Sequence, residues 1–257
     1  MLILKDITKK FNPGTPNENV VFDKFNFEVD EGEFVSVIGS NGSGKSTLLN
    51  LVCGSIAPDS GEVLFDGKKI NSMSEYRRAA FIGRVFQDPK MGTCPDLTIL
   101  ENLSLADNKN KFFGLGRAVN KRRFDYFRTI LEECDMGLEN RMDVKVGTLS
   151  GGQRQALALV IANMADIRLL ILDEHTAALD PKSSDTIMKL TDKLVSSKKI
   201  TTLMVTHNLR FAAEYGSRLV MMHEGERILD ISGDEKKDAD IDRLLNKFYE
   251  ISIEKGN

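Results

Sequence analysis

Apolar and polar residues alternate, or β-branched residues cluster, over Leu2 to Ile7 and again over Val20 to Val29, which predicts two half-buried strands of antiparallel type. A third run, Phe34 to Ile38 (FVSVI), is apolar almost throughout and leads straight into a glycine cluster, the pattern of a strand buried on both faces in a parallel sheet. Between the first two runs, Asn12 to Asn19 (NPGTPNEN) reads as a loop. From Lys45 the pattern turns helical through Cys53, Gly54 and Pro58 end it, and EVLFDGKKI forms a hairpin-like pair around Asp66-Gly67. From roughly Asp88 to Ala165 strand signals lapse and 3.6-period segments such as Arg122 to Glu133 take over, which predicts a helical lobe inserted into a sheet. Strand patterns return at Leu169 to Leu172 and Thr201 to Val205, on either side of the helix-like Lys182 to Val195, making a βαβ unit. The expected fold class is α/β: a mixed sheet flanked by helices, with an antiparallel N-terminal β subdomain and the inserted helical lobe. The expected organisation is a single domain over 1–257, with a core of 1–87 and 166–235, a helical lobe of 88–165 and a charged C-terminal helix over 236–257.

Composition narrows the chemistry. The 257 residues are 41% hydrophobic and 28% charged, enough for a substantial core without staples. Cys53, Cys94 and Cys134 are an odd number with no disulfide or metal spacing, which favours a reducing compartment. The longest apolar run, Ala156 to Met164, is broken at Asn163, so neither a membrane-spanning helix nor a signal peptide is expected. A net charge of −3 argues against a phosphate-backbone partner such as nucleic acid.

Residues 39 to 46 read GSNGSGKS, the G-x-x-x-x-G-K-S pattern, placed after an expected strand and opening an expected helix. Gly39, Gly42 and Gly44 let the backbone approach a phosphate closely. The intervening amides and the helix N-terminus offer oriented donors to an anion. Lys45 adds a mobile cation for the outer phosphates, and the Ser46 hydroxyl is a Mg²⁺ ligand. These features predict a P-loop NTPase core. Such a loop needs a carboxylate at the end of another apolar strand, and Leu169 to Leu172 followed by Asp173-Glu174 supplies it. Asp173 is assigned to the magnesium and Glu174 to polarising the attacking water.

LSGGQ at 149–153, continuing RQALALVIA, completes a set of motifs that resembles the nucleotide-binding subunit of ABC transporters over about residues 2 to 235. In order they are GSNGSGKS, VFQDP with Gln87, LSGGQ, LLILDE, AALD with Asp180, and MVTHN with His207. The resemblance implies ATP and Mg²⁺ as cofactors. It implies a cradle of Gly39, Ser40, Asn41, Gly42, Ser43, Gly44, Lys45, Ser46 and Thr47, with Phe11 stacking on the adenine. It also implies that Gln87 reaches the metal and water, and that His207 contacts the γ-phosphate and holds Glu174 and the water in line. Ser150 caps a helix beginning at Gly151 and Gly152, which gives a second anion-binding helix end. In the family this end, Ser150 to Gln153, closes over the nucleotide of a second copy in a head-to-tail dimer.

One departure is plain. After Asp-Glu the family usually has proline, and here stands His175 (DEHTAALDP). The departure is expected to leave ATP hydrolysis intact, with His175 a tolerated loop residue, and it puts the local rigidity in question. The same replacement resembles a subgroup of importer ATPases, some linked to aromatic amino acids. His223, in MMHEG, matches no family role and is expected in a turn. The resemblance therefore implies an ATP-hydrolysing subunit on the cytoplasmic face of a membrane. Its partners would be a second copy, separate transmembrane permease chains and an extracytoplasmic substrate-binding protein, with no nucleic acid. The alternatives are a soluble ABC ATPase acting on nucleic acid or ribosomes, which usually carries two cassettes or a long insertion, and a P-loop kinase, which should lack LSGGQ.

Overall fold

The computed structural model describes residues 1–109, 119 and 121–238. In chain order the strands and helices are β1 (Leu2–Phe11), β2 (Asn19–Val29), β3 (Phe34–Gly39), α1 (Lys45–Cys53), β4 (Ser60–Phe65), β5 (Lys68–Lys69), α2 (Glu75–Arg78), β6 (Ile82–Val85), α3 (Ile99–Asp107), α4 (Phe124–Glu132), α5 (Gly151–Met164), β7 (Leu169–Asp173), α6 (Pro181–Lys198), β8 (Thr201–Val205), α7 (Leu209–Glu214), β9 (Arg218–His223), β10 (Glu226–Ser232) and α8 (Gly233–Lys237). They fall into two compact units, Met1–Arg78 with the chain from Lys199 onward, and Ala79–Lys198.

The first unit holds two sheets. β2, β1, β4 and β5 form an antiparallel sheet in that order, with β4 and β5 joined at the Asp66-Gly67 turn as the sequence implied. Alternation decides which side is buried: Leu2, Leu4 and Ile7 of β1 and Phe22, Phe25 and Phe27 of β2 are all within 6% of full burial. The rings of Phe22 and Phe25 stack with centroids 4.5 Å apart. In the second sheet β3 runs parallel to both β8 and β9, and β10 closes antiparallel on β9. Every residue of β3 and β8 is buried, which explains why their sequences run apolar instead of alternating.

In the second unit β6 and β7 pair in parallel, with Arg84 opposite Ile171 and Val85 opposite Leu172. Between them, among the described residues, lie helices and short 3₁₀ turns, with a single isolated bridge from Thr98 to Lys145. The segment expected to be helical from Arg122 opens as a 3₁₀ turn, Lys121–Arg123, before α4 begins. At the C-terminus α8 covers Gly233–Lys237, and the rest of the helix expected over 236–257 lies outside the described residues. Among the described residues no helix is long and apolar enough to cross a membrane.

Candidate nucleotide site

The first unit carries the expected phosphate cradle. β3 delivers the chain into GSNGSGKS, and α1 starts at Lys45 with Gly44 as its N-cap. Gly44 has φ +99°, and a Cβ there would press into the Phe22 ring at 2.9 Å, so both the conformation and the packing demand glycine. A Cβ on Gly39 would likewise collide with the Met222 carbonyl of β9. The loop is thus backed by β2 and β9, and Ser43 O accepts from Gly225 N at 3.1 Å.

Gly44 has no side chain to cap α1. By contrast α3, α5 and α7 are capped by Thr98, Ser150 and Asn208, each accepting from a first-turn amide. α1 thus starts without a side chain over its N-terminus, the arrangement found where a helix end binds a phosphate. Lys45, buried within the loop, donates from Nζ to Gly39 O and Ser40 O, both at 2.8 Å. Asn41, Gly42 and Ser46 are exposed on the outer face, and Thr47 is half-buried. At the end of β1, Phe11 leaves 37% of its surface exposed, with Lys9 Nζ 5.4 Å from the ring centroid, so an apolar face is presented for stacking. His207 is exposed just beyond β8, next to Asn208, which caps α7.

His223 does not lie in a turn. It is the last residue of β9, opposite Glu226, and the turn begins one residue later. Strand register buries the ring and sets Nδ1 3.2 Å from the Ser40 hydroxyl, making His223 a support of the phosphate loop that the sequence reading missed.

The second unit carries the acids and the LSGGQ helix. Asp173 ends β7 and meets Arg84 of β6, whose Nη2 donates to Oδ2 at 2.7 Å. Glu174 follows with φ +48°, a left-handed conformation costly for a residue with a Cβ. His175 is fully buried, and burial lowers its imidazole to about 4, well below the ordinary histidine range. Its Nε2 lies 3.2 Å from Thr191 Oγ1 of α6. Asp180 caps α6, accepting from Ser183 N at 3.0 Å, ahead of Pro181 at the first helical position. The Ser183 bonds lower its carboxyl below the usual range. Gln87 is exposed just past β6.

Ser150 and Gln153 form a reciprocal capping box at the start of α5. Gly151 is exposed, but Gly152 is buried, and a Cβ there would stand 3.1 Å from Ser183 Oγ. Glycine at 152 is thus also a packing requirement against α6, and its amide and that of Gly151 precede the first intrahelical bond.

A family model described as "ABC transporter" matches residues 22–177. The chain belongs to the ABC transporter family. It is 46% identical over 248 residues to the tyrosine transport ATP-binding protein of Clostridioides difficile, covering 96% of this chain and 98% of that one. It is 35% identical to the putative hemin import ATP-binding protein HrtA of Staphylococcus haemolyticus, over 88% of this chain and 98% of the relative. Among solved structures, the dimeric post-hydrolysis state of the ATP-binding cassette MJ0796, bound to ADP and Pi, aligns with TM-score 0.76 at 32% identity over 90% of this chain and 98% of that one. The ADP conformation of the cassette MJ1267 aligns with TM-score 0.80 at 28% identity over 100% and 99%. The α/β fold and the ABC resemblance read from the motifs both hold. The protein is an ABC ATPase using ATP and Mg²⁺. No group of three or more His, Cys, Asp or Glu able to hold a metal occurs among the described residues.

Proposed function

We propose that this ABC ATPase drives import, of an aromatic amino acid or a related solute, from the cytoplasmic face of a membrane. Its partners are a second copy of itself, separate permease chains and an extracytoplasmic substrate-binding protein. The observation that carries the nucleotide chemistry is the uncapped α1 helix behind Lys45. Import of a tyrosine-like solute is supported by the 46% identity to a tyrosine transport ATP-binding protein.

The amides from Gly42 to Thr47 bind the phosphates, and Lys45 Nζ turns from Gly39 O and Ser40 O towards the outer ones. Ser46 and Asp173 hold Mg²⁺, with Gln87 reaching the same metal. Glu174 accepts the proton of the attacking water and His207 keeps that water in line. Phe11 stacks on the base. ATP with Mg²⁺ supplies the γ-phosphoryl group whose transfer to water releases the free energy used for transport. Ser150 and Gly152 of the partner subunit close over the same phosphate, with Gln153 holding the cap and Asp180 beside the joint, so ATP and not ADP joins two copies.

Glu174→Gln tests this reading. It keeps size and hydrogen bonding but removes the proton acceptor, so single-turnover hydrolysis should fall by about 10² to 10⁴ while ATP binding survives. The ATP-bound dimer should last longer, because a negative charge beside each γ-phosphate is gone. Fast hydrolysis with a short-lived dimer in light scattering would reject Glu174 as the base. Copurification with permease chains, followed by a ligand screen of the associated binding protein, tests the substrate class.

A further inference from the structure

His175 is a buried ionisable side chain that the mechanism above does not use, and it follows directly on the one non-glycine residue of that mechanism held in a left-handed backbone, Glu174. An L-residue at φ +48° persists only when its surroundings over-determine it. Two attachments to α6 do so here. Thr176 O accepts from Ser184 Oγ at 3.1 Å, and His175 Nε2 lies 3.2 Å from Thr191 Oγ1. Ser184 and Thr191 are seven residues apart, hence on one helix face, and both are buried. Between them the turn closes on itself, with Ala177 N donating to Glu174 O at 2.9 Å.

The direction of the His175 bond follows from proton counting. Thr191 has one hydroxyl proton, and its Oγ1 donates that proton to Ile187 O at 2.8 Å. Towards the ring Thr191 can only accept, so His175 Nε2 carries hydrogen and donates. The bond is a fixed, buried tether from the residue next to Glu174 to the middle of α6.

We propose that His175 is a positioning residue for Glu174: its Nε2–H bond to Thr191 holds the turn that keeps the left-handed backbone at 174 and so aims the Glu174 carboxylate at the water. This inference rests on the assignment of Glu174 as proton acceptor. It assigns His175 a task in hydrolysis without contact to nucleotide.

Thr191→Val removes the acceptor while keeping shape, and Thr191→Ser keeps the hydroxyl. Single-turnover hydrolysis, ATP affinity and thermal midpoint are measured for both, for His175→Leu alone and combined with Thr191→Val, and for Thr191→Val in a Glu174→Gln background. Thr191→Val should lose on the order of tenfold to a hundredfold in rate, the scale of a displaced reacting group, with ATP affinity within about twofold. Thr191→Ser should keep a rate near the parent, and His175→Leu combined with Thr191→Val should lose no more than either alone. In the Glu174→Gln background Thr191→Val should cause no further loss, because the group it aims is already disabled. The same proportional loss in that background, a parallel loss of affinity and rate, or an undiminished rate in Thr191→Val would each overturn the proposal. If Glu174→Gln itself leaves turnover near wild type, the base assignment fails instead, and the two failures are thereby told apart.

Discussion

Arg84 and Asp173 form an ion pair, Nη2 to Oδ2 at 2.7 Å, with side chains only 15% and 20% exposed. The pair joins the ends of two parallel strands, and it places a cation on the carboxylate proposed for Mg²⁺. Arg84 also lies over the Phe86 ring, 4.7 Å from its centroid, so its position is held from two sides. Arg84→Met keeps much of the stem but strips Asp173 of this counterion. A lost hydrogen bond to a charged group costs about 1.5 to 3 kcal/mol, and stability in urea should fall by that order. Mg²⁺ with ATP then replaces the missing positive charge, so the stabilisation gained on adding MgATP should be larger in the variant than in wild type. Equal gains in the thermal midpoint would separate Arg84 from the metal site.

Lys45 turns its ammonium onto two carbonyls of its own loop, and in the proposed mechanism this cation swings to the outer phosphates. Lys45→Ala deletes that charge, a contact worth about 1.5 to 3 kcal/mol. ATP affinity by titration calorimetry should drop on the order of tenfold to a hundredfold. Unchanged affinity would remove Lys45 from the cradle.

How far the sequence showed these features depended on the distance to their causes. The strand, glycine turn and helix from Phe34 to Cys53 were legible because they are consecutive, so one local pattern specifies all three. The Asp66-Gly67 hairpin and the Lys45–Cys53 helix were legible for the same reason. Arg84 was not, since its carboxylate lies 89 residues away and an arginine in a short strand looks like any surface charge. His223 was misread because Glu-Gly follows it and suggests a turn, whereas its burial is fixed by register and by Ser40, 183 residues earlier. His175 stood out as a departure from pattern. What it does depends on Thr191, which no motif marks.

The cysteines give a test of the burial pattern that is independent of nucleotide. Cys94 is exposed, while Cys53 and Cys134 are buried. Burial, with the nearby Glu133 and Glu139 carboxylates adding to it, pushes the Cys134 thiol up to about 12, so it carries almost no thiolate at neutral pH. A thiol reagent at pH 7.5 should label one cysteine in the native protein and all three in denaturant. Rapid labelling of Cys134 in the native state would contradict its burial at the C-terminal end of α4.

Arg78 is the largest fully buried side chain among the described residues, and it ties down the far end of α1. Nη1 donates to Leu51 O and Val52 O at 2.7 and 2.9 Å, in the last turn of α1, where carbonyls lack intrahelical partners. Nη2 donates to Ile70 O at 2.6 Å and Nε to Met73 O at 3.0 Å. The guanidinium therefore spans α1 and the segment after β5, and its charge faces the negative end of the α1 dipole. Burial lowers its proton affinity, yet an arginine this basic stays charged. Arg78→Met fills similar volume but removes the donor to five carbonyls, Asn71 O at 3.4 Å being the fifth, with Ile70 O keeping its bond from Met73 N, and stability should fall by about 3 to 5 kcal/mol in urea unfolding. Arg78→Lys restores the charge but not the planar fork, because one ammonium cannot reach both α1 and Met73 O at once. It should recover less than half of the loss. Full recovery by lysine would show that charge at the helix end, and not the span of the fork, anchors α1. With α1 loosened at its C-terminus, its N-terminal amides also lose their fixed aim, so ATP affinity in Arg78→Lys should weaken by about two- to tenfold even where the protein remains folded.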